Sequence, residues 1–271
     1  MSVTFQVRAG LLLNHMKRAA FCSDIRDLYI EIEHNIMKTS AIGVTNDRLA
    51  TIRTHIDKGP EKRMIIGIPE VRNAINRVMN FKPDDILILE DDGTQLKILR
   101  EKPKKSYILA GVADLKAIKS KSVYEVSVNT EEKEFDIEVV GKPSQRAGGI
   151  EAITTLDNLS DIKAIFKDKD VFTDETELSI MSSGEIHLKG KSDEDVGDDI
   201  IEATPKSIPK NDIVRGYSGL IEVIKSLNPK ADITLYAGTG TVSLVITESL
   251  DIPGEKYDSV YTVMSRNLRW S

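Results

Sequence analysis

Lysine, arginine and asparagine side chains recur on the polar faces of four predicted helices, and side chains of these types donate hydrogen bonds to phosphate groups. The second helix carries this pattern most clearly, because no acidic residue follows Glu70 on its polar face: Arg72, Asn73, Asn76, Arg77 and Asn80. Such groups contact phosphates at variable geometry and without selecting a base. The pattern predicts a surface that follows a nucleic-acid backbone, although any one helix alone also fits an ordinary solvated face.

The other three helices add fewer residues of this kind to the predicted surface. Asp161 and Glu222 weaken the basic character of the third and fourth helices, so the pattern is stronger in the first half of the chain. One of the added cations lies just before the fourth helix and not within it. The additional candidates, in chain order, are Asn14, Lys17, Arg18, Lys163, Lys167, Arg215 and Lys225.

The helices that position these side chains are predicted from apolar residues at helical spacing. The second helix has one apolar face, formed by Val71, Ala74, Ile75, Val78 and Met79. Pro69 suits its first turn because a missing N–H is no loss there. The helices are predicted at residues 9–20, 69–80, 158–166 and 217–227. Alternating apolar residues predict strands at 3–7, 28–33, 36–44, 49–56, 63–66, 85–90, 95–99, 106–112, 150–154, 178–181, 185–189, 199–204, 233–237, 242–247 and 259–264.

The order of elements in the first half of the chain recurs in the second half. The clearest matches pair Gly67 with Gly216, Val71 with Leu220 and Ile75 with Ile224. A repeat this long indicates a duplicated domain and not a solenoid. We therefore predict an α+β fold with an N-terminal domain at residues 1–112, a connector at 113–148 and a C-terminal domain at 149–271. The connector holds an extra hairpin within 123–140, which could instead begin the second domain.

Composition excludes several other classes of protein. With a net charge of −6 over 271 residues, any nucleic-acid contact must come from a local patch. The single cysteine, Cys22, excludes an internal disulfide and a thiol-based metal site, and the histidines show no ligand spacing. We expect no metal, no cofactor and no contact with a membrane. Without a signal-peptide pattern or a long apolar run, we expect an intracellular protein.

Two segments have some composition of a ligand loop but lack its context. Gly238-Thr239-Gly240 joins two predicted strands, whereas a phosphate loop needs a following helix N-terminus, so a hairpin turn is expected. The acidic run at 193–199 lacks the glycine spacing and the flanking helices of a calcium loop, which leaves a solvated loop. No nucleophile, base and carboxylate stand at a spacing that indicates catalysis.

Taken together, these elements resemble the sliding clamps of the proliferating-cell nuclear antigen (PCNA) type over nearly the whole chain. The resemblance is carried by the strand–helix start VTFQVRAGLLL, the strand LATIRT at 49–54, the second helix with its hairpin, and the fourth helix followed by two strands. The last strand, at 257–264, falls where the family ends. The chain departs from the family in its longer connector and in Arg266, Arg269 and Trp270, which stand where an acidic tail is common.

The resemblance implies two like clamp domains with two helices each, antiparallel sheets outside and helices inside. Three chains would close head to tail around double-stranded DNA, joined through strands 106–112 and 199–204. It also implies a pocket beside the connector for short peptide motifs of a DNA polymerase, a clamp loader, a flap nuclease and a ligase. The pocket residues implied by position are Ile42, Val44, Ile118, Tyr261 and Met264. The first two also fit plain core packing.

These implications predict a DNA sliding clamp, a non-enzymatic homotrimeric ring that acts as a DNA polymerase processivity factor in DNA replication and DNA repair. Two alternatives remain open. The chain could be one subunit of a heterotrimeric clamp, including a damage-checkpoint type. It could also be a small-molecule enzyme on a duplicated α+β scaffold, which would need a concave site with convergent titratable groups.

Overall fold

The computed structural model describes residues 3–21, 27–42, 48–92, 94–101, 104–110, 124–139, 145–168, 175–191, 196–216, 223, 227–228, 230–238, 241–253 and 255–266. Contacts divide the chain into two compact units. The first unit comprises Met1–Val44, Thr51–Val123 and Ser249–Val260, and the second comprises Thr45–Ala50, Tyr124–Glu248 and Tyr261–Ser271. Each unit is an α+β fold whose strands are antiparallel.

The first unit is built from eight strands and two helices of the early part of the chain. They are β1 (Val3–Arg8), α1 (Ala9–Phe21), β2 (Leu28–Glu33), β3 (Ile36–Ile42), β4 (Arg48–His55), β5 (Met64–Ile68), α2 (Val71–Val78), β6 (Ile86–Asp91), β7 (Gln95–Arg100) and β8 (Lys105–Ala110). One sheet has the order β1-β6-β7-β8, and a second has the order β4-β3-β2-β5. Helices α1 and α2 pack side by side, with α1 against β3 and α2 against β8.

The second unit contains the later elements of the chain. They are β9 (Tyr124–Asn129), β10 (Glu134–Val139), β11 (Gln145–Gly149), β12 (Ala152–Leu156), α3 (Leu159–Asp168), β13 (Glu175–Ile180), β14 (Ile186–Lys191), β15 (Val196–Ile201), β16 (Ala203–Ser207), β17 (Ile213–Gly216), β18 (Asp232–Gly238), β19 (Thr241–Ile252) and β20 (Glu255–Arg266). The ends of β19 and β20 that form the hairpin turn belong to the first unit, where β20 is the neighbour of β4.

The predicted duplication is confirmed by the topology. The order β1-β6-β7-β8 corresponds to β12-β18-β19-β20, and β4-β3-β2-β5 corresponds to β15-β14-β13-β17. The turns before β6 and β18 also match in detail. The Asp85 amide donates to the Lys82 carbonyl at 3.0 Å, and the Ala231 amide donates to the Asn228 carbonyl at 2.9 Å. Against this common plan, β16 and the three-stranded sheet β11-β10-β9 are additions to the second half.

Several local predictions need correction. Helix α2 begins at Val71 and not at Pro69, because Glu70 before it adopts a left-handed backbone with φ of 48°. The predicted strand at 199–204 is two strands that separate at Glu202, since β15 pairs with β14 whereas β16 pairs with β12. The predicted hairpin in the connector is present as β9 and β10, and β11 adds a third strand beside β10. The predicted fourth helix lies outside the described residues except for Val223, which is helical, and Leu227.

Candidate nucleic-acid interface

Helix α2 presents the predicted polar face to solvent. Val71, Ala74 and Val78 recur at helical spacing and are buried, which fixes the opposite side of the helix outward. That outward side carries four exposed donors: Arg72, Asn73, Asn76 and Arg77. The start of the helix is held by the Glu70 carbonyl, which accepts from the Ala74 amide at 3.1 Å. These four side chains face outward as predicted, whereas Met79, which was predicted on the apolar face, is 56% exposed because the helix ends at Val78. Contact of the four side chains with phosphate oxygens stays a prediction.

The fifth predicted residue of α2, Asn80, has a structural task at the end of the helix. Its side-chain amide donates to the Asn76 carbonyl at 2.9 Å, one of the carbonyls that a helix end leaves without an amide partner. The Lys105 ammonium in turn donates to the Asn80 carbonyl at 3.1 Å. A cation at this position also interacts favourably with the negative end of the helix dipole. Asn80 is exposed, but its amide is engaged by the helix.

Beside this helix end lies a cluster that the sequence analysis missed, which we call the basic–aromatic corner: Arg77, Phe81, Lys105 and Tyr107. The rings of Phe81 and Tyr107 meet edge to face, with centroids 5.6 Å apart. The Arg77 guanidinium lies 5.3 Å from the Tyr107 centroid, and the Lys105 ammonium lies 5.5 Å from it. Such cation–π contacts hold long side chains in place and leave their charge uncompensated. The spacing of Arg77 and Phe81, one helical turn apart, was the available signal.

Arg100 lies beside the same corner but, unlike Arg77 and Lys105, is described with a carboxylate partner of its own. Its guanidinium lies 5.5 Å from the Phe81 centroid and forms an ion pair with the Asp85 carboxylate. Burial raises the pKa of Asp85, and hydrogen bonds from the Lys82 amide and Arg100 outweigh this effect and lower it below its ordinary value. Arg100 therefore brings its own counter-charge, whereas Arg77 and Lys105 bring the positive charge of the corner.

The contribution predicted from α1 is smaller than expected. Arg18 is only 4% exposed, so the prediction that it lies on the outer face is wrong. Asn14 and Lys17 are partly exposed. The reason is that α1 packs against both α2 and β3 and is covered around much of its circumference. Periodicity locates the centre of an apolar face but not its width, which depends on the neighbouring elements.

Only one of the four cations predicted in the second unit has a described side chain. Lys163 is partly buried, and its ammonium donates to the Leu227 carbonyl, which corrects its assignment as an outward-facing cation. This contact parallels the one from Lys105 to Asn80 in the first unit. The side chains of Lys167 and Arg215 lie outside the described residues, and so does the whole of Lys225.

The predicted peptide pocket is described at one position. Tyr261 is 1% exposed, which leaves almost none of its side chain to a docking peptide and differs from the predicted open pocket. Ile42 and Met264 lie on strands β3 and β20, but their side chains are outside the described residues. Val44 and Ile118 lie outside them altogether.

Two outer strands carry exposed isoleucines. Within the described strands, β8 has β7 as its only neighbour, and β15 has only β14. Ile108 on β8 is 60% exposed and Ile200 on β15 is 57% exposed, whereas the adjacent Leu109 and Ile201 are buried. Edge strands offer unpaired backbone groups to another chain. An exposed apolar side chain at each edge increases that tendency.

A buried polar network crosses the core of the first unit. His15 lies with Nε2 2.9 Å from the Thr39 hydroxyl and Nδ1 2.9 Å from the Thr54 hydroxyl. Because the Thr39 hydroxyl donates to the Tyr29 carbonyl at 2.8 Å, it must accept from His15, which assigns the proton to Nε2. Nδ1 then accepts from Thr54. Burial lowers the pKa of His15 to about 3, so the ring is neutral and structural.

The segments with superficial ligand-loop composition do not form sites among the described residues. Gly238 pairs with Thr241 across β18 and β19, which confirms the predicted hairpin turn. In the acidic run, residues 192–195 lie outside the described part, while Asp198 is on β15 and meets His187 Nδ1 at 3.1 Å. The described residues contain no group of three side chains suited to a metal ion. None of their helices has the length and hydropathy needed to span a bilayer.

Comparison with solved structures gives full-length matches to clamps of known fold. The chain superposes with a TM-score of 0.67 on A. fulgidus PCNA, solved with the C-terminal region of FEN-1 bound, at 13% identity and 100% coverage of both chains. PCNA from Entamoeba histolytica matches with a TM-score of 0.67 and 15% identity over 97% of each chain. The PCNA2–PCNA3 complex from Sulfolobus tokodaii matches with a TM-score of 0.64 and 11% identity over 98% of this chain and 99% of that one. No protein-family model and no curated protein matches the sequence.

Proposed function

Because the chain has the fold of the PCNA-type sliding clamps, we propose that it is a DNA sliding clamp. In this proposal three copies form a ring around duplex DNA inside the cell, and the ring holds a DNA polymerase and other replication and repair proteins on the template. The ring itself performs no reaction. The observation that carries the proposal is the duplicated topology, which leaves two unlike sheet edges, β8 and β15, without neighbours among the described strands.

The contact between β20 and β4 within one chain is an internal template for the way in which the edges of two copies join. Strand β20 corresponds to β8 in the duplicated order, and β4 corresponds to β15. Within one chain β20 lies next to β4, so the equivalent contact between chains is β8 of one copy against β15 of the next. Such a contact joins two different surfaces, and it closes into a ring when the rotation between copies divides a full turn. It also covers the exposed Ile108 and Ile200.

The exposed face of α2 supports the contact with DNA. Arg72, Asn73 and Asn76 offer charged and amide donors with no acid among them, which suits contact with phosphates. A few phosphate contacts per copy give weak, salt-sensitive binding, as a sliding ring requires. Loading such a ring onto DNA requires a separate ATP-driven loader, because no phosphate-binding loop stands out in the sequence.

Partner binding is supported by likeness alone. The A. fulgidus clamp binds the C-terminal region of FEN-1. We propose that this chain takes peptide motifs of a polymerase, a clamp loader, a flap nuclease and a ligase in the same manner.

A heteromeric ring is the second candidate, and one observation favours it. The S. tokodaii structure is a complex of two different chains, PCNA2 and PCNA3. In a heteromer, the β8 edge of this chain would be complementary to a different subunit and not to its own β15 edge. Purified alone, the chain would then remain a monomer at micromolar concentration.

The oligomeric state of edge variants tests the proposal. Ile108→Asp blocks the β8 edge and Ile200→Asp blocks the β15 edge, and both sites are exposed, so each variant should fold. We expect a trimer for the wild-type chain, monomers for each variant, and a dimer when the two variants are mixed, because one compatible pair of edges remains. Light scattering after size exclusion measures all four. A wild-type monomer would favour the heteromer, and a mixture that remains monomeric would refute the pairing of β8 with β15.

A further inference from the structure

The buried faces of the two edge strands carry opposite charge. On β8, Lys105 and Tyr107 share with the buried Leu109 the face that packs against α2, while Ser106 and Ile108 point the other way. On β15, Asp199 shares the face of the buried Ile201 and lies directly across from the buried Leu188. A carboxylate on the core side of an edge strand is partly desolvated, so a nearby cation stabilises its charged form.

The internal template places these two faces on the same side of a joined sheet. In the contact between β4 and β20, Thr54 and Ser259 are both buried, and their hydroxyl oxygens lie 3.2 Å apart. The buried faces of this strand pair therefore coincide. Because β15 corresponds to β4 and β8 corresponds to β20, the same geometry between copies brings the Asp199 face and the Lys105 face together.

The basic–aromatic corner is suited to receive a carboxylate. Tyr107 and Phe81 hold the Lys105 ammonium at 5.5 and 5.1 Å from their centroids, and Tyr107 holds the Arg77 guanidinium at 5.3 Å. Cations placed in this way lose little side-chain freedom when an anion binds, which makes an ion pair more favourable. The nearby Arg100 is already paired with Asp85, so it does not compete for the incoming acid.

We propose that the Asp199 carboxylate of one copy lies against Lys105 and Arg77 of the next, so that the partner of the β8 edge is a second copy of this chain. This inference rests on the proposed ring and adds what selects its members. Backbone pairing alone accepts any strand of suitable length, whereas a partly buried charge pair rejects an edge that lacks the matching charge. The ion pair therefore favours a homomeric ring over a heteromeric one.

Charge exchange across the contact tests the proposal. Lys105→Glu and Asp199→Lys should each raise the dissociation constant of the trimer at least about tenfold, because a like-charge pair replaces an attractive one. Since every contact in a homomeric ring contains one residue of each kind, the double variant should recover to within about threefold of the wild type. Mass photometry over a dilution series measures these constants. Recovery in the double variant is the result that a purely structural role of either residue would not give.

Two further variants distinguish loss of the ion pair between Asp199 and Lys105 from a general effect of changed charge or impaired folding. Asp198→Lys makes the same charge change on the opposite face of β15 and should weaken the ring far less than Asp199→Lys. Lys105→Glu also removes the hydrogen bond to the Asn80 carbonyl, which could impair folding. In that case Arg77→Glu takes its place, because Arg77 is exposed on α2. We expect Asp199→Lys to rescue this variant as well.

The possible outcomes are distinct. A stable wild-type ring that tolerates the Asp199 and Lys105 reversals, or that responds equally to Asp198→Lys, would refute the ion pair and leave the clamp proposal standing. Loss of DNA binding without loss of the trimer in Lys105→Glu would also refute it, and would assign the corner to phosphate. A wild-type chain that remains monomeric would refute both proposals.

Discussion

The hydroxyl oxygens of Thr54 and Ser259 lie 3.2 Å apart across β4 and β20, although 205 residues separate them in sequence. Thr54 also donates to the His15 ring, whose other nitrogen meets Thr39, so the cluster extends from β20 through β4 and α1 to β3. All four of these side chains are buried. A buried polar network is stable only when each member has its partner, so this one depends on a neutral His15.

That dependence predicts a loss of stability in acid. The folded chain holds the pKa of His15 at about 3, below the ordinary value of 6.5, so the unfolded chain binds a proton first as the pH falls. The contribution of His15 is therefore complete above about pH 6.5 and decreases towards pH 3, by at most about 1.4 kcal/mol per pH unit. Urea unfolding of the wild type and of His15→Gln between pH 7 and pH 4 measures it. Glutamine does not titrate, so equal pH slopes in the two proteins would contradict this role.

Reversal of charge on α2 should weaken DNA binding and leave the ring intact. Arg72 is exposed on the polar face and is not part of the basic–aromatic corner. Arg72→Glu should reduce affinity for duplex DNA uniformly across sequences and lower the slope of log K against log salt by about 1. Fluorescence anisotropy on two unrelated duplexes measures both quantities. Lys62→Glu, on the exposed loop before β5, makes the same kind of charge change and should have little effect.

Gly59 should tolerate no side chain. A Cβ atom there would lie 1.0 Å from the His34 carbonyl oxygen, a backbone atom that cannot move aside alone. Gly59→Ala should therefore lower the free energy of unfolding by roughly 3 kcal/mol or prevent folding. Gly149→Ala is the matched control, because its Cβ would come no closer than 3.9 Å to the nearest atom, the Lys133 carbonyl oxygen. Chemical denaturation should find the control close to wild type, and two variants of equal stability would contradict the close approach.

Tyr257 should lower the pKa of Asp57. Burial raises the pKa of this carboxyl, and hydrogen bonds from the Tyr257 hydroxyl and from Arg8, whose Nε lies 2.8 Å away, outweigh it and lower the pKa. Tyr257→Phe removes one donor, so the pKa of Asp57 should rise. Carboxyl-resolved NMR titration measures the shift. The stabilising contribution of Asp57 is present above its unfolded pKa and is lost as the pH falls, so the variant should lose stability at a higher pH than the wild type.

How far the sequence predicted the molecule depended on whether local spacing determined the feature. The outward face of α2 follows from the spacing of the apolar residues within the helix, whereas Met79, predicted on the apolar face, is exposed because the helix ends one residue before it. The burial of Arg18 and the contact of Lys163 with the Leu227 carbonyl depend on which elements pack beside α1 and α3. No spacing within a helix reports its neighbours, so both residues were assigned to the wrong surface.

The approximate positions of the two edge strands were predicted from the sequence, but the side-chain cluster beside β8 was not. Strand 106–112 corresponds to β8, but 199–204 spans the end of β15 and the start of β16, because Glu202 separates two strands of different sheets. The basic–aromatic corner joins residues of α2 and β8 that are far apart in sequence, so only the fold brings Arg77 to Tyr107. The duplication could be predicted because matching residues recur in the same order along the chain. Clusters of side chains from different elements leave no such pattern in the sequence.

The unlike edges β8 and β15 have a consequence for how the subunit is produced. If the proposed ring forms, the chain has a complementary site at each end and could also polymerise linearly, because every open intermediate still displays one bare edge of each kind. Closure ends growth only if the two free ends of one oligomer meet before a further subunit arrives. For the proposed ring, a high subunit concentration would therefore favour open chains over closed rings.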